Sequence, residues 1–255
     1  MAEDYLIEAR GLRKVYKETA AVASVDLAVR AGEIFGFLGP NGAGKTTTIK
    51  MLIGLLRPTA GTALIGGHDI EREPIAAKTL IGYVPDEPYL PDKLTAREFL
   101  QFVGGLYRVP AAQARRRGEE LLRLFDLAGH ADELLGGYSH GMRQKAALAG
   151  ALLHDPRVLF LDEPTVGLDP RSARLIKDIL RQLAARGTAV FLTTHILEIA
   201  ERLCDRVAII SDGQVIASGT LDELRAGTHD RSLEDIFLAL TGGAEYAALD
   251  DVLSG

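Results

Sequence analysis

The sequence is poor in cysteine and has no long apolar run, and both absences limit what the chain can be. Cys204 is the only cysteine among 255 residues, so an intrachain disulfide is excluded and a reducing compartment is expected. No stretch approaches the about eighteen apolar residues that span a bilayer. The acidic start, Met1–Asp4, lacks the basic-then-apolar pattern of a signal peptide. Any contact with a membrane is therefore expected to come only through a partner chain.

The chain also lacks an excess of positive charge. It has 29 Lys and Arg against 35 Asp and Glu, a net charge of −6, which is not the footprint of a nucleic-acid-binding protein. With 47% hydrophobic and 25% charged residues, the composition is that of an ordinary globular protein. We therefore expect a large globular core and no nucleic acid among its partners.

A glycine-rich stretch that follows a short apolar run is the strongest signal in the chain. The run Ile34–Leu38 is typical of a buried strand, and a helical recurrence of apolar residues begins at Ile49. Between them the chain fills the pattern Gly-x-x-x-x-Gly-Lys-Ser/Thr, which binds nucleotide phosphates in this strand–loop–helix context. The nucleotide-binding candidates are Gly39, Pro40, Asn41, Gly42, Ala43, Gly44, Lys45, Thr46 and Thr47.

The chemistry of this loop follows from its residue types. Glycines let the backbone curl until several amide N–H groups point inward, and the N-terminus of the helix adds partial positive charge. Lys45 is expected to reach the terminal phosphates, and the Thr46 hydroxyl to ligate a magnesium ion. The alternative is a glycine-rich turn that leads into a helix and binds nothing.

Several other apolar runs end in polar residues. The runs are Ile81–Pro85, Arg157–Pro164, Ala189–His195 and Val207–Ile210, with helical patterns at Ser172–Ala185 and Ile196–Leu203. Alternation of strands and helices predicts parallel pairing, and ligands bind beyond the carboxyl ends of such strands. The sequence therefore predicts one shared site that contains Asp86, Asp162, Glu163 and His195.

Three of these residues have chemistry that fits a triphosphate site. Asp162 emerges from a dry strand and can hold magnesium opposite Thr46; the alternative, a helix N-cap, fits Asp169 but fits Asp162 poorly because Pro164 follows. Glu163 can act as general base toward a water in line with the terminal phosphate, or be only a solvated acid at a strand end. His195 can bond that phosphate and orient Glu163 or the water, although a lone histidine is more often structural.

The remaining segments divide into alternating and helical patterns. Tyr5–Tyr16, Ala21–Val29 and Thr62–Asp69 alternate, which suggests an antiparallel sheet packed beside the parallel one. Tyr16 is either an amphipathic edge residue or a platform for an adenine ring. Helical patterns dominate between Thr95 and Leu153, at Ala96–Leu106, Ala111–Phe125 and Met142–Leu153.

In these motifs the chain resembles the ATPase subunits of ABC transporters, over about residues 5 to 240. The resemblance implies an α/β fold: a P-loop NTPase (RecA-like) parallel-sheet core with an N-terminal antiparallel β-subdomain and an inserted α-helical subdomain. It implies one ABC ATPase domain over 1–240, with the β-subdomain and nucleotide core in 1–88 and 154–220 and the helical subdomain in 89–153. Residues 221–255 then form a C-terminal helical extension and tail. Tyr16 matches the aromatic residue that stacks on adenine.

The family's signature, usually Leu-Ser-Gly-Gly-Gln, corresponds to Tyr138–Met142, which keeps Ser139 and Gly141. These two supply a hydroxyl and a free backbone N–H at a helix start. The resemblance implies that they bind ATP on the opposite subunit, while Ser-x-Gly by itself is more often a plain helix cap. Gly167–Asp169 resembles the family's dimer-contact loop.

The family's loop glutamine is Asp86 here, which can still bind magnesium or a water. Asp86–Pro88, the altered signature and the segment Ser232–Leu238 look like export-type and Ecs-type subunits.

The resemblance implies an ATP-binding and ATP-hydrolysing subunit that dimerises around two Mg-ATP and drives a transmembrane permease subunit, and the subgroup implies an exporter. The dimer would be a homodimer or a heterodimer with a second ATPase subunit. The chain would be cytoplasmic and peripheral, on the cytoplasmic face of the cell membrane. One alternative is a soluble ATPase of the same type acting in DNA repair or on ribosomes. A P-loop GTPase or small-molecule kinase lacks support, because no Asn-Lys-x-Asp guanine motif is present.

Overall fold

The computed structural model describes residues 5–226 and 232–242. The start of the chain and the tail beyond 242 lie outside the described residues. The strands are β1 (Tyr5–Tyr16), β2 (Thr19–Arg30), β3 (Ile34–Leu38), β4 (Ala60–Ile65), β5 (His68–Asp69), β6 (Ile81–Val84), β7 (Val158–Asp162), β8 (Ala189–Thr194), β9 (Arg206–Ser211) and β10 (Gln214–Thr220). The helices are α1 (Lys45–Leu52), α2 (Pro74–Thr79), α3 (Ala96–Leu106), α4 (Ala111–Leu124), α5 (His140–Leu152), α6 (Pro170–Ala185), α7 (Leu197–Leu203), α8 (Leu221–Arg225) and α9 (Leu233–Thr241).

The strands form one mixed sheet in the order β5-β4-β1-β2-β10-β9-β3-β8-β7-β6. From β9 to β6 the pairs are parallel, as the strand–helix alternation predicted. β1, β2, β4 and β5 pair antiparallel. The predicted antiparallel part is therefore present beside the parallel one. The two parts join edge to edge, because Gln214 of β10 pairs with Ser24 of β2.

The central strands are buried on both faces, which explains why they read as apolar runs without alternation. Every residue of β3, β7 and β8 is buried. Phe191 of β8 packs against three other rings, those of Phe35, Phe37 and Phe160, with centroids 5.4 to 5.6 Å apart. The strands that carry the site therefore rest on a close-packed support.

The helices α3, α4 and α5 lie between β6 and β7, where the sequence predicted an insert. Thr95 begins α3 with a capping box, in which its side chain accepts from the Glu98 N–H and Glu98 bonds back to it. α5 packs on β6, where a Cβ on Gly82 would lie 2.6 Å from the Ala151 carbonyl oxygen. Glycine at this position therefore allows the helix to approach the strand. The division of the chain near residues 88 and 153 stays a prediction.

Two elements were not predicted from the sequence: α2 and β10. β10 has an exposed face, so its side chains give no long apolar run. α5 begins at His140, two residues before the predicted start, because Ser139 rather than the first apolar residue sets its N-terminus. Strand β1 and helix α3 have the bounds that the sequence predicted.

Candidate active site

The candidate site lies where four parallel strands end at one level. In the sheet, β3, β8, β7 and β6 are neighbours. Leu38 of β3 pairs with Thr194 of β8, and Thr193 pairs with Asp162 of β7. Because the strands are parallel and in register, the residues that follow them emerge at the same edge of the sheet. The polar residues predicted at these strand ends are thus brought together.

The loop between β3 and α1 has a shape that only glycine tolerates at two points. Gly44 has φ 106°, in the left-handed region, and a Cβ there would lie 2.6 Å from the Ala21 carbonyl oxygen. A Cβ on Gly39 would lie 2.4 Å from the Ile210 carbonyl oxygen. The loop therefore lies directly against β2 and β9, and α1 begins at its end with Lys45.

The Lys45 side chain folds back onto this loop. Its Nζ donates to the Gly39 carbonyl at 2.7 Å and to the Pro40 carbonyl at 3.1 Å. Burial lowers the pKa of Lys45, while the carboxylates of Glu163 and Asp162 act in the opposite direction. The ammonium is thus held beside the loop amides by two carbonyls, which are groups that a phosphate oxygen can replace.

Asp162 and Thr46 meet across the cleft. Thr46 Oγ1 donates to Asp162 Oδ2 at 3.0 Å, and the other carboxylate oxygen, Oδ1, accepts from Thr193 Oγ1 at 2.5 Å. A hydroxyl and a carboxylate are the hard oxygen ligands that Mg²⁺ takes, so this pair fits such an ion. Within residues 5–226 and 232–242 there is no cluster of three or more His, Cys, Asp or Glu side chains that could hold a metal. The fit of this site to Mg²⁺ therefore rests on one carboxylate, Asp162, and one hydroxyl, Thr46, and phosphate oxygens would supply further ligands.

Glu163 has an unusual backbone conformation and one uncommitted oxygen. Its φ is 49°, in the left-handed region that residues with a Cβ seldom adopt. Its Oε1 lies 2.9 Å from Nδ1 of His195, and its Oε2 is buried without a hydrogen-bond partner among the described residues. An acceptor that is desolvated and unpaired is costly, which favours a ligand or a water at that position.

A cleft of about 220 Å³ unites most of the predicted residues. Asp86 lines it, and its pKa is raised by partial burial and then by the Asp162 and Glu163 carboxylates. Burial, with Asp162 and Asp86, raises the pKa of the neighbouring Tyr83 to about 12. The lining residues are Ala21, Asn41, Gly42, Gly44, Lys45, Thr46, Thr47, Asp86, Asp162 and Glu163. Within the described chain, this cleft combines a cationic loop with an acidic wall.

Six predicted nucleotide-binding residues are not among those that line this cleft in the described chain: Gly39, Pro40 and Ala43 within the loop itself, and Tyr16, Ser139 and Gly141 away from it. Tyr16 is 48% exposed, with Lys14 Nζ 5.2 Å from its ring centroid. Ser139 caps α5, since its Oγ accepts from the Met142 N–H at 3.3 Å. Gly141 faces Leu168, whose side chain would lie 3.5 Å from an added Cβ. In the isolated chain, Ser139 therefore acts as the N-cap of α5.

Sequence reasoning missed two residues at the site. Ala21 lines the cleft, and the sequence carries no signal for it. Thr193 is fully buried and bonds Asp162. The sequence signal for Thr193 was a polar residue near the end of the apolar run that forms β8, the strand next to β7, which carries Asp162.

The chain matches known proteins along nearly its whole length. The family described as ABC transporter matches residues 22–166. Daunorubicin resistance ATP-binding protein DrrA3 of Streptomyces coeruleorubidus is 45% identical over 248 residues, which are 96% of this chain and 78% of that protein. Nod factor export ATP-binding protein I of Paraburkholderia xenovorans is 42% identical over 248 residues, 97% of this chain and 80% of that protein.

Solved structures of ABC ATP-binding proteins also resemble this chain. One, described as an ATP-binding subunit of an ABC transporter, has a TM-score of 0.88 and 35% identity and covers 92% of this chain and 99% of that chain. Another is a dimeric ATP-binding cassette in a post-hydrolysis state with ADP and phosphate, with a TM-score of 0.78 and 27% identity over 84% of this chain and 98% of that chain. In the described residues, no helix has the length and apolar character needed to cross a membrane. The P-loop NTPase fold is confirmed, and the chain belongs to the ABC transporter family as one of its ATP-binding ATPase subunits.

Proposed function

We propose that this chain hydrolyses Mg-ATP in the cleft between α1 and the end of β7, and that it does so as a dimer that drives an export permease. The observation that carries the proposal is the 3.0 Å contact between Thr46 Oγ1 and Asp162 Oδ2, directly beside the loop that holds Lys45. It places a carboxylate and a hydroxyl against a loop of amides and an ammonium, which together match a metal-bound triphosphate.

The loop residues Gly39 to Thr47 would bind the phosphates. Lys45 would exchange the carbonyls of Gly39 and Pro40 for oxygens of the β- and γ-phosphates. Thr46 and Asp162 would hold Mg²⁺, which when bound neutralises charge on the phosphate oxygens. Asp86, on the same cleft wall, would contact that ion or its water. Tyr16, on the antiparallel part of the sheet, would stack on the adenine ring.

Glu163 is the proposed general base. It would take a proton from a water positioned in line with the γ-phosphorus, so that the water oxygen bonds to phosphorus as the bond to ADP breaks. His195, held 2.9 Å from Glu163 Oε1, would keep that carboxylate in place and bond the γ-phosphate. The unpaired Glu163 Oε2 is the oxygen available to the water.

A second subunit would complete the site. Ser139 and Gly141 lie outside the chain's own cleft, at the exposed N-terminus of the thirteen-residue helix α5. A helix N-terminus attracts phosphate, so this end of α5 is suited to the γ-phosphate bound by another copy or by a second ATPase subunit. The solved relative that is dimeric with ADP and phosphate bound supports a dimer. The loop Gly167–Asp169, which adjoins His140, would lie in the same interface.

The membrane partner is proposed from the relatives and from exposed apolar side chains. The two relatives compared above are named for daunorubicin resistance and for Nod factor export, which supports export over a role in DNA repair or on ribosomes. Tyr89, Phe102 and Leu106, on the chain after β6 and on α3, are 91%, 55% and 64% exposed. We propose that a permease subunit covers them and holds the chain on the cytoplasmic face of the membrane.

The first test is the ATPase activity of the purified chain. The native protein should release phosphate from Mg-ATP, and Lys45→Ala should abolish productive nucleotide binding and release. Lys50→Ala is the matched control, because Lys50 is an exposed lysine of the same helix. Normal hydrolysis by Lys45→Ala would refute the phosphate assignment.

The second test is purification from intact membranes. A polytopic chain should copurify with the native protein, and Phe102→Glu together with Leu106→Glu should release it while ATP binding persists. Retention of the polytopic chain by this double variant would contradict the proposed docking face.

A further inference from the structure

Thr193 connects the two acidic residues of the cleft although it lines no part of it. Its side chain is fully buried at the end of β8, and it is paired in register with Asp162 of β7. Its hydroxyl donates to Asp162 Oδ1 at 2.5 Å and accepts from the Glu163 N–H at 3.2 Å. The Thr193 carbonyl accepts from the same N–H, also at 3.2 Å. One hydroxyl therefore bonds the side chain of one acid and the backbone of the next.

The bond to Asp162 fixes the orientation of its carboxylate. A hydroxyl has one hydrogen to donate, and here Asp162 Oδ1 receives it. The other oxygen, Oδ2, is left for Thr46 Oγ1 at 3.0 Å and for any cation that replaces that hydrogen bond. The two oxygens of a carboxylate are equivalent, so the Thr193 donor acts by fixing the plane of the group; without it the carboxylate could rotate about its Cβ–Cγ bond out of line with a bound cation.

The bond from Glu163 secures a backbone turn that the acid needs. Successive side chains of a strand point to opposite faces, so a regular strand would direct Asp162 and Glu163 away from each other. The left-handed φ of 49° at Glu163 interrupts this alternation, and both residues line the same cleft. A conformation that is disfavoured for a residue with a Cβ persists only where its surroundings hold it. Here the two Thr193 acceptors hold the Glu163 N–H.

We propose that Thr193 is a positioning residue for ATP hydrolysis, whose hydroxyl sets the orientation of the metal-binding Asp162 and fixes the turn that aims Glu163 at the cleft. This inference rests on the proposed function of both acids. It adds a residue that contacts neither the nucleotide nor the ion and acts through the two that do. Outer residues that orient metal ligands are known to affect metal affinity and activity strongly.

The test compares variants that keep or remove the hydroxyl. Thr193→Val preserves the branched shape and loses the donor, while Thr193→Ser keeps the donor and loses a methyl group. In Thr193→Val we expect kcat to fall about tenfold or more, and the Mg²⁺ concentration for half-maximal ATP binding to rise about tenfold. The KM for ATP should change much less, because the phosphate loop is untouched. Thr193→Ser should restore both quantities nearly to those of the native chain.

The control is Thr188→Val, at the residue directly before the opposite end of the same strand, where Thr188 is also buried. It should leave kcat and the Mg²⁺ dependence unchanged. Binding of a fluorescent ATP analogue, titrated with Mg²⁺, gives a readout that does not depend on turnover. Thermal melting without nucleotide shows whether each variant is folded.

Two results would overturn the proposal. One is a Thr193→Val variant with native kcat and native Mg²⁺ dependence. The other is an equal loss in Thr193→Val and Thr193→Ser, which would mean that the methyl group matters and the hydroxyl does not. If Thr193→Val does not fold, Thr193→Cys takes its place, because a thiol is only a weak donor, and native kcat there would also refute the proposal. A native chain without any ATPase activity would instead refute the proposed function itself.

Discussion

Nδ1 of His195 lies 2.9 Å from Oε1 of Glu163, and the two residues follow neighbouring parallel strands, β8 and β7. The carboxylate is largely buried, with its side chain 11% exposed, while the imidazole is 52% exposed. The exposed imidazole of His195 thus contacts the largely buried carboxylate of Glu163 from the side that faces solvent. This contact makes the role of Glu163 open to a direct test.

Glu163→Gln should lower the rate of phosphate release by about 10²- to 10⁴-fold, the usual contribution of a general base. The amide keeps the shape of the side chain and can still contact His195, so ATP binding should persist and the nucleotide-bound dimer should accumulate. Phosphate release and size-exclusion chromatography in Mg-ATP measure both effects. Glu198→Gln, at an exposed glutamate of α7, is the control and should behave as the native chain. An unchanged ATPase rate in Glu163→Gln would rule out the base assignment.

Ser139 has two separable roles, one in capping α5 and one proposed at the partner's nucleotide. Ser139→Ala should lower the free energy of unfolding by about 0.5–2 kcal/mol through loss of the cap. Ser139→Asn should restore that stability, because asparagine caps a helix about as well as serine. We expect both variants to lose ATPase activity and nucleotide-dependent dimerisation. Native activity in Ser139→Asn would show that Ser139 acts only as a cap.

His154 gives the nucleotide-free protein a pH dependence of its own. Its ring stacks on Tyr107, with centroids 3.6 Å apart, and its Nε2 lies 3.0 Å from the Ile81 carbonyl oxygen. Burial lowers the pKa of His154 to about 4, with Arg117 acting in the same direction and the Ile81 carbonyl and Asp155 opposing.

The folded state thus keeps His154 neutral where the unfolded chain, with a histidine pKa near 6.5, takes up a proton. Between these two values the unfolded chain binds more protons, so His154 makes stability fall as the pH drops from about 6.5 toward 4. His154→Phe, which retains an aromatic ring, should flatten this part of the stability curve measured by urea unfolding. His130→Phe, at an exposed histidine, should leave it unchanged. An identical slope in the native chain and His154→Phe would contradict this account.

Gly82 and Gly105 provide a matched pair for the packing of the insert. A Cβ on Gly82 would lie 2.6 Å from the Ala151 carbonyl oxygen, whereas no described atom lies within 4 Å of a Cβ on Gly105 in α3. Gly82→Ala should therefore lower the free energy of unfolding by about 1–3 kcal/mol, because α5 must move away from β6. Gly105→Ala should raise it by about 0.5–1 kcal/mol, since alanine favours a helix interior. Denaturant unfolding measures the free energy of unfolding of both variants. A Gly82→Ala variant as stable as the native chain would refute the close contact between β6 and α5.

Much of this organisation could be predicted from the sequence, because its signals are local or periodic. The loop before Lys45 has a fixed spacing, and a buried strand such as β7 is a continuous apolar run that ends at Asp162. Parallel pairing then brings the strand ends together. The contact between Asp162 and Thr193 could not be predicted, since it depends on the register of β7 on β8 and on one rotamer.

The edge-to-edge joining of the sheet was also beyond prediction. In the described chain β10 and β2 share one register pair, Gln214 with Ser24, and a single pair leaves no periodic trace in either strand. The start of α5 was misplaced for a related reason. His140 and Gly141 are polar or small, so the apolar pattern begins later than the hydrogen bonding that Ser139 initiates.

The insert leaves the sheet after β6 and returns to it in β7, and these two strands are direct neighbours. Their pairing, from Ile81 with Val158 to Val84 with Leu161, is independent of how long the excursion between them is. The insert can therefore change in length or sequence during evolution while the pairing of β6 with β7 is kept. The same ATPase core can in this way be combined with different membrane partners.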